Sequence, residues 1–434
     1  MSSEVTAPPL ELGWDRREIT PTWPTALAGF ASRAAIGPAE EVVSPLHLRT
    51  VALRQGDDVV VMMVADMLWW GPDNMAQVQA EASQRYGLAP EQLVLQGTHT
   101  HSAPQPSQWF SSGLGIADPR WVDLLHQQAI AAIGAALEDL VEVRVDLAQG
   151  RYHLGVERRF ARSAGKERAA ELSELLSVIT FRDTDGAPVA TLFHHACHPT
   201  LHHGNAVSAD FPGAAMGSLE ENGSPIALYL QGCCGNVNPD RYEGTKFHSG
   251  DSTEILAMGT QLATAVRDLQ PSAEPIHVDL STDHSAIDLP TEPAPDQATL
   301  ESIAAGDSLM TSSWAQLLLE RPERRHGAPM VLTRVWFGDG LQLLGLSAEV
   351  TSPYANSVTA ELGERALTLG YCNGMLCYVV SAMQQVDGGY EANDAPYWFG
   401  LPGPFTADLE PQLTGALLEL GHRPAPSRAA VAHR

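Results

Sequence analysis

The stretch that most constrains this chain runs from Leu93 to Pro104 and reads LVLQGTHTHSAP. Leu93-Val94-Leu95 is an apolar run of β type and reads as a buried strand. After Gly97 comes an H-x-H pair, His99 and His101, and then Ser102 and Pro104. Residues two apart on an extended chain point the same way, so two imidazoles are expected to leave one strand end side by side. Open α/β sheets build their sites at such ends. The pair reads either as metal ligands or as two satisfied polar histidines in a turn.

Two further β-runs end in the same fashion. Val189–Phe193 leads to His194, His195 and His198 within FHHACHPTLHHG, and Leu341–Leu346 leads to Glu349 within SAEVTSPY. Catalytic zinc takes three protein ligands of His or carboxylate type and keeps a position for water, and a sheet can gather such ligands from distant positions. His198, followed by Pro199-Thr200, is the ligand candidate of its cluster, whereas His202 and His203 read as surface polar filler. Glu349 is either a ligand or a charge at a helix N-terminus. Asp66, after VVVMMVAD, either approaches a site or caps a strand end.

The remaining pattern is mixed. Residues 1–40 are rich in Pro, Gly and Trp without a clear period and are expected to meander over the surface. Strands are expected at Pro45–Arg54 and Asp58–Asp66 around a turn at Gln55-Gly56-Asp57, then at Val141–Leu147, Leu175–Arg182, Ile226–Leu230, Met330–Phe337 and Met375–Val380. Helical spacing marks Asn74–Tyr86 with Gly87 as its stop, Pro119–Leu140, Phe211–Glu221, Thr253–Leu269 and Asp408–Leu420. A helix is also expected from after SAEVTSPY to Leu369. Residues 271–300 read as a connector or edge strand. GGYEANDAPYWFG, from Gly388 on, is either a substrate-facing loop over Gly389–Phe399 or a set of rings that close the core. The class is α/β, mixed α+β, with a large mixed sheet and flanking helices. Residues 1–434 are expected to form one domain with a loose tail from about 421.

Composition narrows the function. With 44% hydrophobic residues in 434, a sizeable core can form. A formal charge of −26 repels phosphate backbones and anionic membrane faces, so a small-molecule substrate is expected, with no nucleic acid and no membrane insertion. A homo-oligomer remains open. No run approaches the ~18 apolar residues of a membrane span, and the first residues lack the basic and apolar regions of a secretory signal. The five cysteines are therefore expected as reduced thiols in a cytoplasmic protein. Cys233 and Cys234, adjacent at an apolar strand end, read as packing residues before nucleophiles.

GTHTHSAP, then HPT with a downstream SADFPG, then LQGCCGNVNPD, SAEVTSP and a Tyr-Val pair follow one another in this order. That order resembles the neutral/alkaline ceramidase family from about Trp14 to Pro402. The resemblance implies an α/β catalytic domain holding one Zn2+ and hydrolysing an amide of the N-acyl sphingosine type. It implies His99, His198 and Glu349 as zinc ligands, with Tyr378 completing the metal site. His101 would sit beside the ion to polarise water or the scissile carbonyl, and Arg158 would be an active-site arginine, with Arg159 its rival. Asp210 matches an acidic position of the family motif without an assigned role. Where the family carries an active-site serine, GNVNPD places Asn238. No counterpart of the family's immunoglobulin-like C-terminal domain or of its secretion signal is expected here. These departures shift the expectation from a membrane lipid to a small soluble N-acyl amide or ester, cleaved by metal-activated water. An acyltransferase or cyclising enzyme on the same zinc site, and a catalytically silent ligand-binding member, are the alternatives.

Overall fold

The computed structural model describes residues 8–161 and 172–424. Its framework is a nine-stranded mixed sheet. The strands in chain order are β1 (Leu10–Glu18), β2 (His47–Gln55), β3 (Asp58–Ala65), β4 (Leu93–Gly97), β5 (Val141–Arg151), β6 (Leu175–Arg182), β7 (Pro188–His195), β8 (Ala227–Gln231) and β9 (Glu274–Ile276). They lie in the order β8-β7-β6-β5-β1-β2-β3-β4, with β9 added to β5. The pairs β8/β7 and β3/β4 are parallel and the others antiparallel. The sheet curls until its end strands meet. Gln96 of β4 donates to Gln231 O at 2.7 Å and accepts from Gln231 N at 3.2 Å. Its amide also reaches Gly370 O at 2.7 Å. This closure brings the C-terminal ends of β4 and β7, which lead into the two histidine loops, to one side of the molecule.

Helices α1 (Pro72–Tyr86) and α2 (Pro119–Glu138) cover β1–β4, and α3 (Asp210–Glu221) and α4 (Ser252–Leu269) cover β5–β8. Against the other face packs a second sheet, in the order β10 (Ser281–Asp288), β11 (Pro329–Gly338), β12 (Leu341–Leu346) and β13 (Ala366–Leu369). Val51, Leu53, Leu228 and Leu230 meet Phe337, Leu343 and Leu367 between the two sheets. Two short helices, α5 (Gln297–Ala304) and α6 (Leu309–Glu320), pack on each other around Leu300 and Trp314. Helices α7 (Ser352–Leu362) and α8 (Leu409–His422) close the outer face of the second sheet. The layers therefore run helix, sheet, sheet, helix, and the mixed α/β class is the one expected.

Three local expectations change. The segment read as meandering contains β1, a central strand paired on both sides. Its charged residues, Asp15 to Glu18, hide the strand signal, and Gly13 lets α2 come down onto it: a Cβ there would lie 2.2 Å from Ala136 O. The helix expected to reach Leu369 ends at Leu362, because Gly363 turns the chain with φ 86°, and Ala366–Leu369 becomes β13, parallel to β12. The strand expected over Met375–Val380 shrinks to Tyr378–Val379, paired in parallel with Glu349–Val350. The last helix continues to His422. The tail expected from about 421 otherwise falls on residues 425–434, outside the described residues. Among the described residues no helix is long and apolar enough to cross a membrane.

Candidate metal centre

Each ligand candidate stands just beyond a strand. After β4, Thr98 N and His99 N bond Ala65 O and Met67 O, both at 2.9 Å. Gly97 allows this close approach, since a Cβ there would lie 2.7 Å from Leu68 O. His99 adopts φ 71°, a left-handed conformation rare for a side chain with a Cβ. The two imidazoles thus converge through a turn and not through strand alternation. His198 follows β7, with His198 N on Val237 O at 2.9 Å. Glu349 follows β12, with its own N on Cys377 O at 3.0 Å. His194 and His195, still inside β7, bond Thr368 O and Tyr152 O and belong to the framework.

The ring contacts define how the three imidazoles are held. His99 Nδ1 faces Leu68 O at 3.1 Å, and His101 Nδ1 faces Gly29 O at 3.0 Å. His198 Nδ1 faces Cys234 O at 2.6 Å and Val237 O at 3.1 Å. A carbonyl oxygen only accepts, so each Nδ1 carries the proton and each Nε2 presents a lone pair. Those lone pairs converge. His99 Nε2 lies 3.1 Å from His101 Nε2 and 3.3 Å from Glu349 Oε1, and His198 Nε2 lies 2.8 Å from the same oxygen. The metal-binding atoms of the three histidines lie within 4.8 Å of one another.

Two lone pairs 3.1 Å apart make no hydrogen bond. Ligands about 2.0–2.1 Å from a tetrahedral ion stand about 3.3 Å from each other. The spacing and the three-nitrogen, one-oxygen donor set fit a zinc-like cation. Burial holds the His198 imidazole down at about 4, with the Arg158 charge adding to the effect, and burial likewise depresses His101, so both rings keep their lone pairs at neutral pH. Tyr371 stacks on His99 with ring centroids 4.0 Å apart.

Beside this centre lies a second polar group. Arg158 begins a short helical turn, its N on Asn236 O at 2.8 Å. Its guanidinium spans from His198 Nε2, 3.3 Å from Nη1, to Tyr378 Oη, 3.3 Å from Nη2. Glu391 Oε1 accepts from Arg158 Nη2 at 2.7 Å and Nε at 3.1 Å, while its Oε2 accepts from Arg159 at 3.2 Å. The two arginines differ in place: Arg158 touches His198, and Arg159 backs Glu391. Tyr378, expected to complete the metal site, has Arg158 as its hydroxyl's partner among the described residues.

Sequence reasoning missed Glu391. The available signal was a pair of carboxylates, Glu391 and Asp394, in the aromatic, glycine-rich stretch. That stretch divides its duties: Phe399 packs on Trp69 and Phe110 in the core, whereas Tyr390 stays 39% exposed and sets its ring against Tyr378.

The other candidates fall into place. Asp210 is buried at φ 54° and accepts from His202 N and Phe211 N, so it shapes the loop after His198. Asn238 bonds Tyr242 Oη at 3.1 Å. Burial pushes the Cys233 thiol up to about 12, and Cys234 Sγ meets Tyr371 Oη at 3.0 Å. Both thiols are free and buried. Asp66 accepts from His47 N and Arg49, a framework role. His203 is exposed, but His202 is buried and not surface filler.

No family model and no curated protein sequence matches the chain. Solved structures do. The neutral ceramidase of Pseudomonas aeruginosa superposes with a TM-score of 0.76 at 15% identity, over 96% of this chain and 74% of that one. A ceramidase complexed with C2 gives 0.74 at 15% identity, over 95% and 75%. The chain has a neutral-ceramidase-like fold.

Proposed function

We propose that this chain is a zinc-dependent hydrolase of an N-acyl amide, or of the matching ester, with residues 1–434 acting as one catalytic unit. The observation that carries this reading is the convergence of three carbonyl-anchored imidazoles and one carboxylate oxygen on a single point. His99, His198 and Glu349 would hold the ion, and His101 Nε2 stands beside them as a further donor. When bound, zinc lowers the pKa of a coordinated water toward ~7 and polarises a carbonyl.

The remaining roles belong to side chains. His101, its Nδ1 fixed on Gly29 O, then has Nε2 free to take a proton and return it to the leaving nitrogen. Arg158 keeps its charge and, with the Tyr378 hydroxyl 3.3 Å away, would stabilise negative charge developing on the acyl oxygen. Tyr378, whose hydroxyl lies 3.3 Å from Arg158 Nη2, would complete the metal site and lend its hydroxyl as a hydrogen-bond donor. The ceramidases of the same fold act on an amide, which favours that bond over an ester.

The test is a panel of N-acyl amides and esters of varied chain length, assayed with zinc-loaded protein, after chelation and after zinc return. Turnover that disappears with the chelator and comes back with zinc is expected. Metal-loaded protein that turns over no acyl substrate would overturn the enzymatic reading in favour of a ligand-binding protein.

A further inference from the structure

Arg33 is buried, at 3% exposure, in the segment before β2, and no carboxylate accepts from it among its described hydrogen bonds. Its guanidinium is spent mainly on the backbone. Nη1 donates to Ala28 O at 3.2 Å and to His101 O. Nη2 donates to Ser102 Oγ at 3.0 Å, His202 O at 3.3 Å and Gly204 O at 2.6 Å. These acceptors come from three separate loops: the one preceding Arg33 itself, the H-x-H loop and the loop after His198. Asp210, on the far side of that last loop, supplies the opposing charge and bonds the His202 backbone N–H. A buried charge is costly, and here the return is the mutual position of those loops.

The consequence falls on one ring. Ala28 N bonds Ala103 O at 3.0 Å, and Gly29 O takes the His101 Nδ1 proton. Gly29 has φ 93°, and a Cβ there would lie 2.7 Å from His101 Cβ, Cγ and Nδ1, so the backbone touches the imidazole as only glycine allows. Arg33 grips the carbonyls on either side of that contact, Ala28 O and His101 O.

We propose that Arg33 is a positioning residue for His101: by clamping residues 28–29 against the H-x-H loop it fixes the tautomer and aim of that one imidazole. The inference rests on the zinc reading above. It separates His101 from His99 and His198, whose Nδ1 atoms are held by Leu68 and by Cys234 and Val237 without help from Arg33.

The experiment measures zinc affinity by chelator competition in the wild type and Arg33→Lys, each also in a His101→Ala background. Arg33→Lys keeps the charge but loses the fork, and far-UV circular dichroism of the variant is to match the wild type before affinities are compared. Zinc affinity is expected to fall about 10–100-fold in the wild-type background, the usual cost of losing an outer partner of a ligand. In the His101→Ala background it should stay within roughly twofold. Nitrogen-15 NMR of the histidines gives a second readout: the His101 Nδ1–H signal should vanish in the variant while those of His99 and His198 persist. Equal losses in both backgrounds, no loss in either, or three unchanged Nδ1–H signals would overturn the proposal. A wild-type chain that takes up no zinc would sink the metal reading instead, and the NMR comparison would still judge Arg33.

Discussion

Two buried polar clusters meet at His198, and their charges are arranged in opposite ways. On one side two guanidiniums, Arg158 and Arg159, share the one carboxylate of Glu391, so each charged group has a partner of opposite sign within the protein. On the other, three imidazole lone pairs and the Glu349 carboxylate point inward at one another. Burial makes an unanswered set of donors costly. The ion-paired cluster is complete as folded, and the unbalanced one is arranged to take a cation from outside. The same contrast separates the candidate metal centre from the Arg49–Asp66–Glu220 group beneath β2, which is also internally paired.

Breaking the unbalanced cluster should have the largest effect. His99→Ala is expected to remove bound zinc and to lower turnover by about three orders of magnitude or more, measured by metal content and steady-state rates. Breaking the ion-paired one acts on stability. Glu391→Ala leaves Arg158 buried without its carboxylate and should cost about 3–5 kcal/mol in chemical denaturation. Zinc binding should survive in that variant while kcat falls.

A smaller effect concerns pH. Burial raises Asp66 to about 6, against the lowering pull of Arg49. Because the folded pKa lies above the unfolded one, the native state binds more protons between about pH 4 and 6. Stability contributed by this group is therefore fully present below about pH 4 and lost as pH rises through about 6, each tenfold difference in proton affinity being worth about 1.4 kcal/mol. Denaturation of the wild type and Asp66→Asn at several pH values should show that difference and its flattening above about pH 6. The smallest effect is expected for Cys233→Ala, about 1 kcal/mol of packing with turnover unchanged, which separates a core thiol from the reacting groups.

Much of this was legible because strands advertise themselves when both faces are apolar. Leu175–Arg182 and Leu341–Leu346 have the bounds that their apolar runs indicate, and His99, His198 and Glu349 each follow such a run. What was hidden depends on contacts far apart in sequence. β1 carries four charged residues in its second half and is a central strand only because β2 and β5 pair with it. Glu391 has no local pattern; its meaning comes from Arg158, 233 positions away. Arg33 sits in a segment that reads as irregular, and its function is written in carbonyls, which a sequence does not distinguish.

The central claim is that side chains from three separate loops hold one divalent cation. Elemental analysis of the purified, zinc-loaded chain beside Glu349→Gln tests it directly. The account expects about one zinc per wild-type chain and loss of that ion in the variant, whose fold stays intact. A wild-type chain without bound metal, or equal metal in both proteins, would contradict it.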